Sequence, residues 1–157
     1  MENEPKQPPT TPTDQVRVTS PMYLTRVGTR QFIAKTRDGV EVPIGDQPGQ
    51  LTPGQLLQLA VAGCKALVAD ARFQAVLGED FAQVVGISGD FNQTRDRYDA
   101  LYTEFIQDLS ALSEEEIHTL ARRIDAAINR NCTVAHTLDF QPSSTHTLTS
   151  KAVEPKE

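Results

Sequence analysis

The chain has 157 residues, two cysteines and a formal net charge of −6 at pH 7, and this length suits one domain with a substantial hydrophobic core. The acidic charge, without a cluster of Lys and Arg, argues against a phosphate-binding surface, so we expect no nucleic-acid partner. No apolar run reaches the roughly 18 residues that a bilayer requires, so we predict no transmembrane span.

The two ends of the chain are polar. Residues 1–15 contain four prolines and almost no apolar side chains, which predicts a disordered tail. We expect residues 16–153 to form a single domain and residues 154–157 to be a frayed C-terminus. The start lacks the apolar segment of a secretory signal, so we expect a cytoplasmic location. Two cysteines in a cytosolic chain are more often free thiols or a redox pair than a structural disulfide.

The first folded segment is predicted to be a β-hairpin. Residues 22–36, MYLTRVGTRQFIAKT, are rich in Val, Ile, Thr and aromatic side chains, which is typical of a strand. An Asp-Gly turn at Asp38-Gly39 follows, and the segment RDGVEVPI then supplies the second strand.

A long helix is predicted from Pro53 to Ala75, with Thr52 as N-cap and Gln55 three residues later. Its apolar residues recur at steps of three and four: Leu57, Ala60, Val61, Cys64, Leu67 and Val68. This spacing places Cys64 on the packing face. The residue is therefore either a small core residue or a reactive thiol. Burial raises the pKa of a thiol, so reactivity would require a compensating group such as a cation.

The second half predicts two further strands, FAQVVGISGDF and ALYTEFIQDLSAL, and a second helix, LSEEEIHTLARRIDAAINR. Ser113 and Glu116 form a capping box at its start, and its apolar stripe consists of Ile117, Leu120, Ala121, Ile124 and Ile128. NCTVAHTL follows as a short helical piece, and STHTLTSKAV closes as a strand. The predicted order is β-β-α-β-β-α-β, an α+β fold with a mostly antiparallel sheet on helices.

The second cysteine, Cys132, is predicted near the N-terminus of the short helical piece, where amide N–H groups would lower its pKa. A disulfide with Cys64 requires Cα atoms within about 7 Å, which sequence does not show. Cys132 and His136 are one helical turn apart, and His118 and His146 remain. Four ligands with zinc-type spacing are absent, so we expect no metal. A cysteine hydrolase would need a general-base histidine, which the three histidines permit without supporting.

The segments PGQLLQLAVAGC and NCTVAHTL resemble the OsmC/Ohr family, the osmotically induced proteins and organic hydroperoxide resistance proteins. The first family motif is matched by Pro53, Leu56, Leu57, Ala62, Gly63 and Cys64, and the second by Cys132, Val134 and Leu138. The hairpin GTRQFIAKTRDGVEV is similar to the opening hairpin of the family, and it places Arg30 where the family has its active-site arginine. The resemblance spans roughly residues 22 to 152.

The resemblance implies an OsmC-like fold in an intertwined homodimer, with antiparallel sheets wrapped around long central helices. It also implies a thiol peroxidase that reduces organic hydroperoxides in oxidative-stress defence. Cys64 would be the peroxidatic residue, Cys132 the resolving residue, and Arg30 would stabilise the thiolate and orient the peroxide. No cofactor is implied, and the reductant would be an external dithiol of the lipoyl type.

The sequence departs from the family pattern at three positions, one of which is His136, where the family is variable. Gly54 stands in place of the glutamate that pairs with the arginine, and Thr133 replaces a proline. On the predicted strand, the neighbours of Arg30 suit a semi-buried guanidinium: Gly28, Phe32 and Ala34. The missing glutamate supports an alternative function, an OsmC-fold dimer of low turnover that binds an apolar ligand or senses oxidants.

Overall fold

Two antiparallel sheets and three helices make up residues 22–148 and 150, the part of the chain that the computed structural model describes. In chain order the elements are β1 (Tyr23–Gly28), β2 (Gln31–Lys35), β3 (Glu41–Ile44), α1 (Pro53–Leu77), β4 (Val84–Asn92), β5 (Arg97–Ile106), α2 (Glu114–Asn131) and α3 (Thr133–Phe140). The predicted α+β class and antiparallel pairing are confirmed. The predicted tail, residues 1–15, and the predicted frayed end, residues 154–157, lie outside the described residues. None of the described helices is long and apolar enough to cross a bilayer.

The N-terminal sheet has three strands in the order β1-β2-β3, where the sequence predicted two. The predicted first strand is divided by a turn at Thr29 and Arg30, and Arg30 has a left-handed φ of 57°. This turn reverses the chain, so the two halves of the predicted strand pair with each other. The predicted turn at Asp38-Gly39 is confirmed between β2 and β3, with Gly39 at a φ of 82°.

Helix α1 begins at Pro53, as predicted, because the side chains of Thr52 and Gln55 cap its first turn. The Thr52 hydroxyl accepts a hydrogen bond from the Gln55 backbone N–H at 3.2 Å, and the Gln55 side chain accepts one from the Thr52 N–H at 2.9 Å. Pro53 occupies the first position, where no N–H partner is needed. The helix ends at Leu77, and Gly78 follows with a φ of 90°.

Strands β4 and β5 form a second antiparallel hairpin, with Val84 opposite Ile106 at its open end. Both strands were predicted, but β5 begins earlier, at Arg97, and ends earlier, at Ile106. The chain leaves the sheet there and forms a local turn, in which the Asp108 carboxylate accepts a hydrogen bond from the Ser110 N–H at 2.9 Å. Such side-chain bonds compete with strand pairing.

The hydrophobic core lies between α1, α2 and the β4-β5 sheet. Phe73 of α1 is its largest buried side chain, and the ring contacts Phe81 and Phe105 at centroid distances of 5.7 and 5.4 Å. Leu120 and Ile124 of the predicted α2 stripe are buried against it. The two amphipathic helices thus pack their apolar faces on one side of the sheet.

The three-stranded sheet contributes little to this core. It is connected to the start of α1 by a bridge between Ile44 and Leu51, and the buried core cluster contains none of its residues. Leu24, Val27 and Val40 are each 57% exposed. Within one chain, the apolar side chains of β1 therefore remain largely exposed, whereas those of β2 are half-buried.

The predicted closing strand, STHTLTSKAV, is wrong for the part that the structure describes. Residues 141–148 have no strand, and Leu148 is 98% exposed. A strand requires a neighbouring edge that satisfies its backbone N–H and C=O groups, and this segment pairs with none among the described residues. Residues 149 and 151–153 of the predicted strand lie outside the described residues. The observed order is therefore β-β-β-α-β-β-α-α.

Candidate active site

The two cysteines, 68 residues apart in sequence, are in contact. The Cys132 thiol donates a hydrogen bond to the Cys64 sulfur, and the Sγ–Sγ distance is 3.0 Å. Both are free thiols; Cys132 is fully buried and Cys64 is partly exposed. The structure therefore brings together the two cysteines that were predicted from the sequence as site residues, one partly exposed and one buried.

Cys132 is held at the junction of two helices. It ends α2, where its N–H donates to the Ile128 carbonyl at 2.9 Å, and it precedes α3, where its carbonyl accepts from the His136 N–H at 3.0 Å. Its backbone is extended, with a φ of −82° and a ψ of 95°. This junction directs the first amide groups of α3 towards the sulfur of Cys64.

The surroundings of the two thiols shift their pKa values in opposite directions. The pKa of Cys64 is lowered, first by the hydrogen bond from Cys132 and then by the backbone N–H of Val134, with a smaller contribution from Thr133; burial opposes them. These N–H groups are the positive end of α3. Burial is the main cause of the raised pKa of Cys132, and its bond to Cys64 adds to it.

Two expectations about these pKa values are corrected. The α3 amides were predicted to lower the pKa of Cys132, and the N–H groups of Ala135 and Val134 do act in that direction, but burial and the bond to Cys64 outweigh them, so the pKa is raised. A cation such as Arg30 was expected to offset the burial of Cys64. The groups that lower the pKa of Cys64 are instead a neutral thiol and two backbone amides. The thiolate therefore forms at Cys64 in preference to Cys132.

Arg30 lies in the turn between β1 and β2 and not in a strand. The expectation of a semi-buried guanidinium is therefore wrong for the single chain. Its side chain is 78% exposed, and its Nε donates to Asp46 Oδ2 at 2.9 Å. This bond lowers the pKa of the Asp46 carboxyl. Within the described residues, no hydrogen bond or ion pair connects Arg30 to Cys64. Its role in stabilising a thiolate and orienting a peroxide stays a prediction.

The space beside Gly54 is filled by Tyr98 of β5. A Cβ atom at position 54 would lie 2.9 Å from the Tyr98 hydroxyl oxygen, and Gln58 Nε2 donates to that oxygen at 2.9 Å. A phenol therefore lies where a side chain at position 54 would start. Neither Tyr98 nor Gln58 was predicted from the sequence as a site residue. Gln58 lies one turn after Gly54 on α1, but nothing in the sequence places β5 against that turn.

The histidines take no part in a metal cluster. His136 Nε2 lies 2.7 Å from the carbonyl oxygen of Asn129, at the end of α2, and the residue is exposed. In residues 22–148 and 150, no group of three or more His, Cys, Asp or Glu side chains could hold a metal ion. The contact with α2 gives His136 a structural role at the helix junction.

Known proteins resemble the chain in sequence and in fold. An uncharacterized protein of Mycobacterium tuberculosis is 35% identical over 119 residues, which cover 74% of this chain and 87% of the relative. No protein-family model matches the sequence.

Two solved structures share the fold. An OsmC-like protein of Mycoplasma pneumoniae aligns with a TM-score of 0.53 and 17% identity over 81% of this chain and 89% of its own. A Psychrobacter arcticus protein, named as a candidate osmotic stress induced and detoxification response protein, aligns with a TM-score of 0.57 and 15% identity over 75% and 87%. The chain belongs to one family with the mycobacterial protein, and its fold is that of the OsmC/Ohr family, as the sequence resemblance predicted.

Proposed function

We propose that this chain is a thiol peroxidase that reduces organic hydroperoxides in defence against oxidative stress. The observation that carries the proposal is the 3.0 Å contact between the sulfurs of Cys64 and Cys132, with a lowered pKa only at Cys64. A partly exposed thiolate beside a second thiol suits peroxide reduction, because the second thiol traps the oxidised sulfur before further oxidation.

The chemistry proceeds in balanced steps. The Cys64 thiolate attacks the terminal oxygen of the hydroperoxide, so an S–O bond forms as the O–O bond breaks, and the alkoxide takes a proton from water and leaves as an alcohol. Cys64 is then a sulfenic acid. The sulfur of Cys132 attacks it, the S–S bond forms as the S–O bond breaks, and water leaves with the thiol proton. A dithiol finally reduces the disulfide through two exchange reactions and itself becomes a disulfide.

The substrate and reductant are inferred from the surroundings of the thiols and from the resemblance. Val61 and Ala62, on α1 just before Cys64, are buried, and such apolar walls favour an organic hydroperoxide over hydrogen peroxide. The Psychrobacter arcticus structure, named for a detoxification response, shares the fold. A dithiol of the lipoyl type as reductant and a cytoplasmic location follow from the resemblance and the sequence, as expectations.

We infer that the working form is an intertwined homodimer. On α1, Leu67 is 82% exposed, and a Cβ atom at Gly63 would meet no neighbouring atom within 4 Å. A helix face with small residues lets another helix approach closely, and large apolar patches are rare on monomers. Strand β1 of the three-stranded sheet presents further exposed apolar side chains, such as Leu24 and Val27. A second copy of the chain would cover both surfaces.

The function is tested by peroxide consumption with a dithiol reductant. We expect the wild type to consume an alkyl hydroperoxide and Cys64→Ser to consume none. After one equivalent of peroxide without reductant, mass spectrometry should show an internal disulfide with no free thiol. Cys132→Ser should stop at a sulfenic or sulfinic acid on Cys64. A wild-type protein that keeps both thiols while peroxide persists would refute the mechanism, and the alternative of a low-turnover ligand binder or sensor would then be favoured.

A further inference from the structure

The side chain of His136 connects the two helices that meet at Cys132. It lies in the first turn of α3, and its Nε2 atom is 2.7 Å from the backbone carbonyl oxygen of Asn129, in the last turn of α2. Because a carbonyl oxygen only accepts hydrogen bonds, Nε2 carries the proton and donates it. A side chain of one helix therefore binds the backbone of the other across the junction.

The Asn129 carbonyl is one of the groups that an α-helix leaves without a partner at its C-terminus. In an uninterrupted helix it would accept a hydrogen bond from the N–H of Thr133, four residues later. The ring of His136 takes this place in the structure. His136 therefore satisfies the carbonyl to which the first amide of α3 would otherwise bind.

The backbone of Cys132 turns the α3 amides in another direction. Its ψ is 95°, whereas a helical residue has a ψ of about −42°, so the peptide plane that follows Cys132 is rotated away from α2. The N–H groups of Thr133 and Val134 donate to the sulfur of Cys64 instead. If α2 continued without interruption, the same two N–H groups would bind its last carbonyls. These amides can therefore serve either the helix or the sulfur.

Helix α3 is weakly anchored, which makes the contact with α2 important. The helix has eight residues, none of them is buried, and no side chain caps its N-terminus. Helices of this length are marginal on their own, so contacts with the rest of the protein decide where they lie. The Thr137 hydroxyl donates to the Thr133 carbonyl at 2.8 Å, but this bond stays within α3. The bond from His136, in contrast, fixes α3 to its neighbour.

We propose that His136 is a positioning residue: its hydrogen bond to Asn129 keeps α2 from continuing into α3 and so leaves the first two amides of α3 available to the sulfur of Cys64. The inference rests on the proposed function and deepens it, because it names a residue that acts on the attacking sulfur through the backbone. Loss of the ring donor should return both amides to α2, and the Cys64 thiolate would lose their hydrogen bonds.

The test is the pH dependence of Cys64 alkylation by iodoacetamide, followed by mass spectrometry. His136→Phe keeps a ring but removes the donor. We expect it to move the profile to higher pH and to slow alkylation at neutral pH roughly threefold, as for the loss of one weak hydrogen bond. The plateau rate at high pH, where the thiol is ionised in every variant, should not fall. His136→Gln retains an N–H donor and should restore most of the wild-type profile.

Two controls separate this role from a general weakening of the helices. Thr137→Val removes the hydrogen bond within α3 and leaves the contact with α2 intact, so the profile should not move. His118→Phe makes the same substitution at another exposed histidine of α2, several turns before Cys132, and should also have no effect. A shift in Thr137→Val as large as that in His136→Phe would overturn the proposal, because any weakening of α3 would then suffice.

Alkylation uses neither peroxide nor reductant, so its outcome is independent of the peroxidase proposal. In stopped-flow experiments with an organic hydroperoxide, His136→Phe should slow oxidation of Cys64 at neutral pH by a similar factor. If the wild type consumes no peroxide but His136→Phe still moves alkylation to higher pH, the positioning role stands and only the peroxidase fails. An unchanged alkylation midpoint in His136→Phe would overturn the positioning role even in an active peroxidase.

Discussion

The thiol of Cys132 donates a hydrogen bond to the sulfur of Cys64 across 3.0 Å. This contact is the largest cause of the lowered pKa of Cys64, and after burial it is the second cause of the raised pKa of Cys132. The pKa values of two chemically identical side chains are therefore shifted in opposite directions. In the mechanism that we propose, this difference supports attack on the peroxide by Cys64 and trapping of the sulfenic acid by Cys132.

Removing the donor should shift the pH profile of the thiolate. In Cys132→Ala the largest stabilisation of the Cys64 thiolate is lost, so its pKa should rise and its thiolate fraction at neutral pH should fall. The rate of Cys64 alkylation by iodoacetamide, followed by mass spectrometry against pH, should move to higher pH. Cys132→Ser retains a hydroxyl donor, so it should shift the pH dependence of alkylation less than Cys132→Ala does. An unchanged profile in Cys132→Ala would mean that the α3 amides alone lower the pKa.

Features controlled by neighbouring residues were predictable from the sequence. The capping boxes of Thr52 with Gln55 and of Ser113 with Glu116 appear as expected, because each joins residues three apart in the chain. The turn at Gly39 also follows from local backbone preference. The family motifs around Cys64 and Cys132 correctly identified the two thiols that are in contact in the structure.

Features that depend on packing between distant segments were not predictable. The α3 amides lower the pKa of both thiols, but how far burial raises each pKa depends on the packing of α3 against α1, so the sequence did not show that the net shift of Cys132 is upwards. The contact of Tyr98 with Gly54 joins residues 44 positions apart. Arg30 was assigned to a strand because the segment around it is rich in Val, Ile, Thr and aromatic side chains, whereas a left-handed turn places it beside Asp46.

The dimer should depend on the exposed face of α1. We expect light scattering at micromolar concentration to give about twice the 17.3 kDa chain mass. Leu67→Lys places a charge in the expected helix contact and should yield a folded monomer. Phe140→Lys is a matched control, since both side chains are 82% exposed, and it should leave the mass unchanged. A wild-type monomer, or a Leu67→Lys dimer, would contradict this prediction.

If Arg30 assists the thiolate, Asp46 should position it. The Arg30 Nε donates to Asp46 at 2.9 Å, so Asp46→Asn weakens the restraint on the guanidinium without removing it. We expect Arg30→Ala to slow oxidation of Cys64 by an organic hydroperoxide in stopped-flow experiments, and Asp46→Asn to slow it less. The double variant should match Arg30→Ala, because Asp46 would act only through Arg30. Lys35→Ala, which breaks the exposed pair with Glu41 on the same sheet, is the control and should have no effect.

The requirement for glycine at position 54 should disappear when the Tyr98 hydroxyl is removed. In Gly54→Ala the new Cβ atom would lie 2.9 Å from that oxygen, too close unless Tyr98 moves and its bond to Gln58 is broken. Such a hydrogen bond contributes about 0.5–1.5 kcal/mol. In Tyr98→Phe the nearest ring atoms lie 3.5 and 3.6 Å from the same point, an ordinary contact.

Gly54→Ala should therefore destabilise the wild type but stabilise the Tyr98→Phe protein, since alanine is better than glycine in a helix by up to about 1 kcal/mol. Urea unfolding of the four proteins gives the coupling between the two positions, which we expect to be at least about 0.5 kcal/mol. The control is Gly63→Ala on the same helix, where a Cβ atom meets nothing within 4 Å and the effect should be independent of Tyr98. Additive effects of Gly54→Ala and Tyr98→Phe would show that the phenol is not held against position 54.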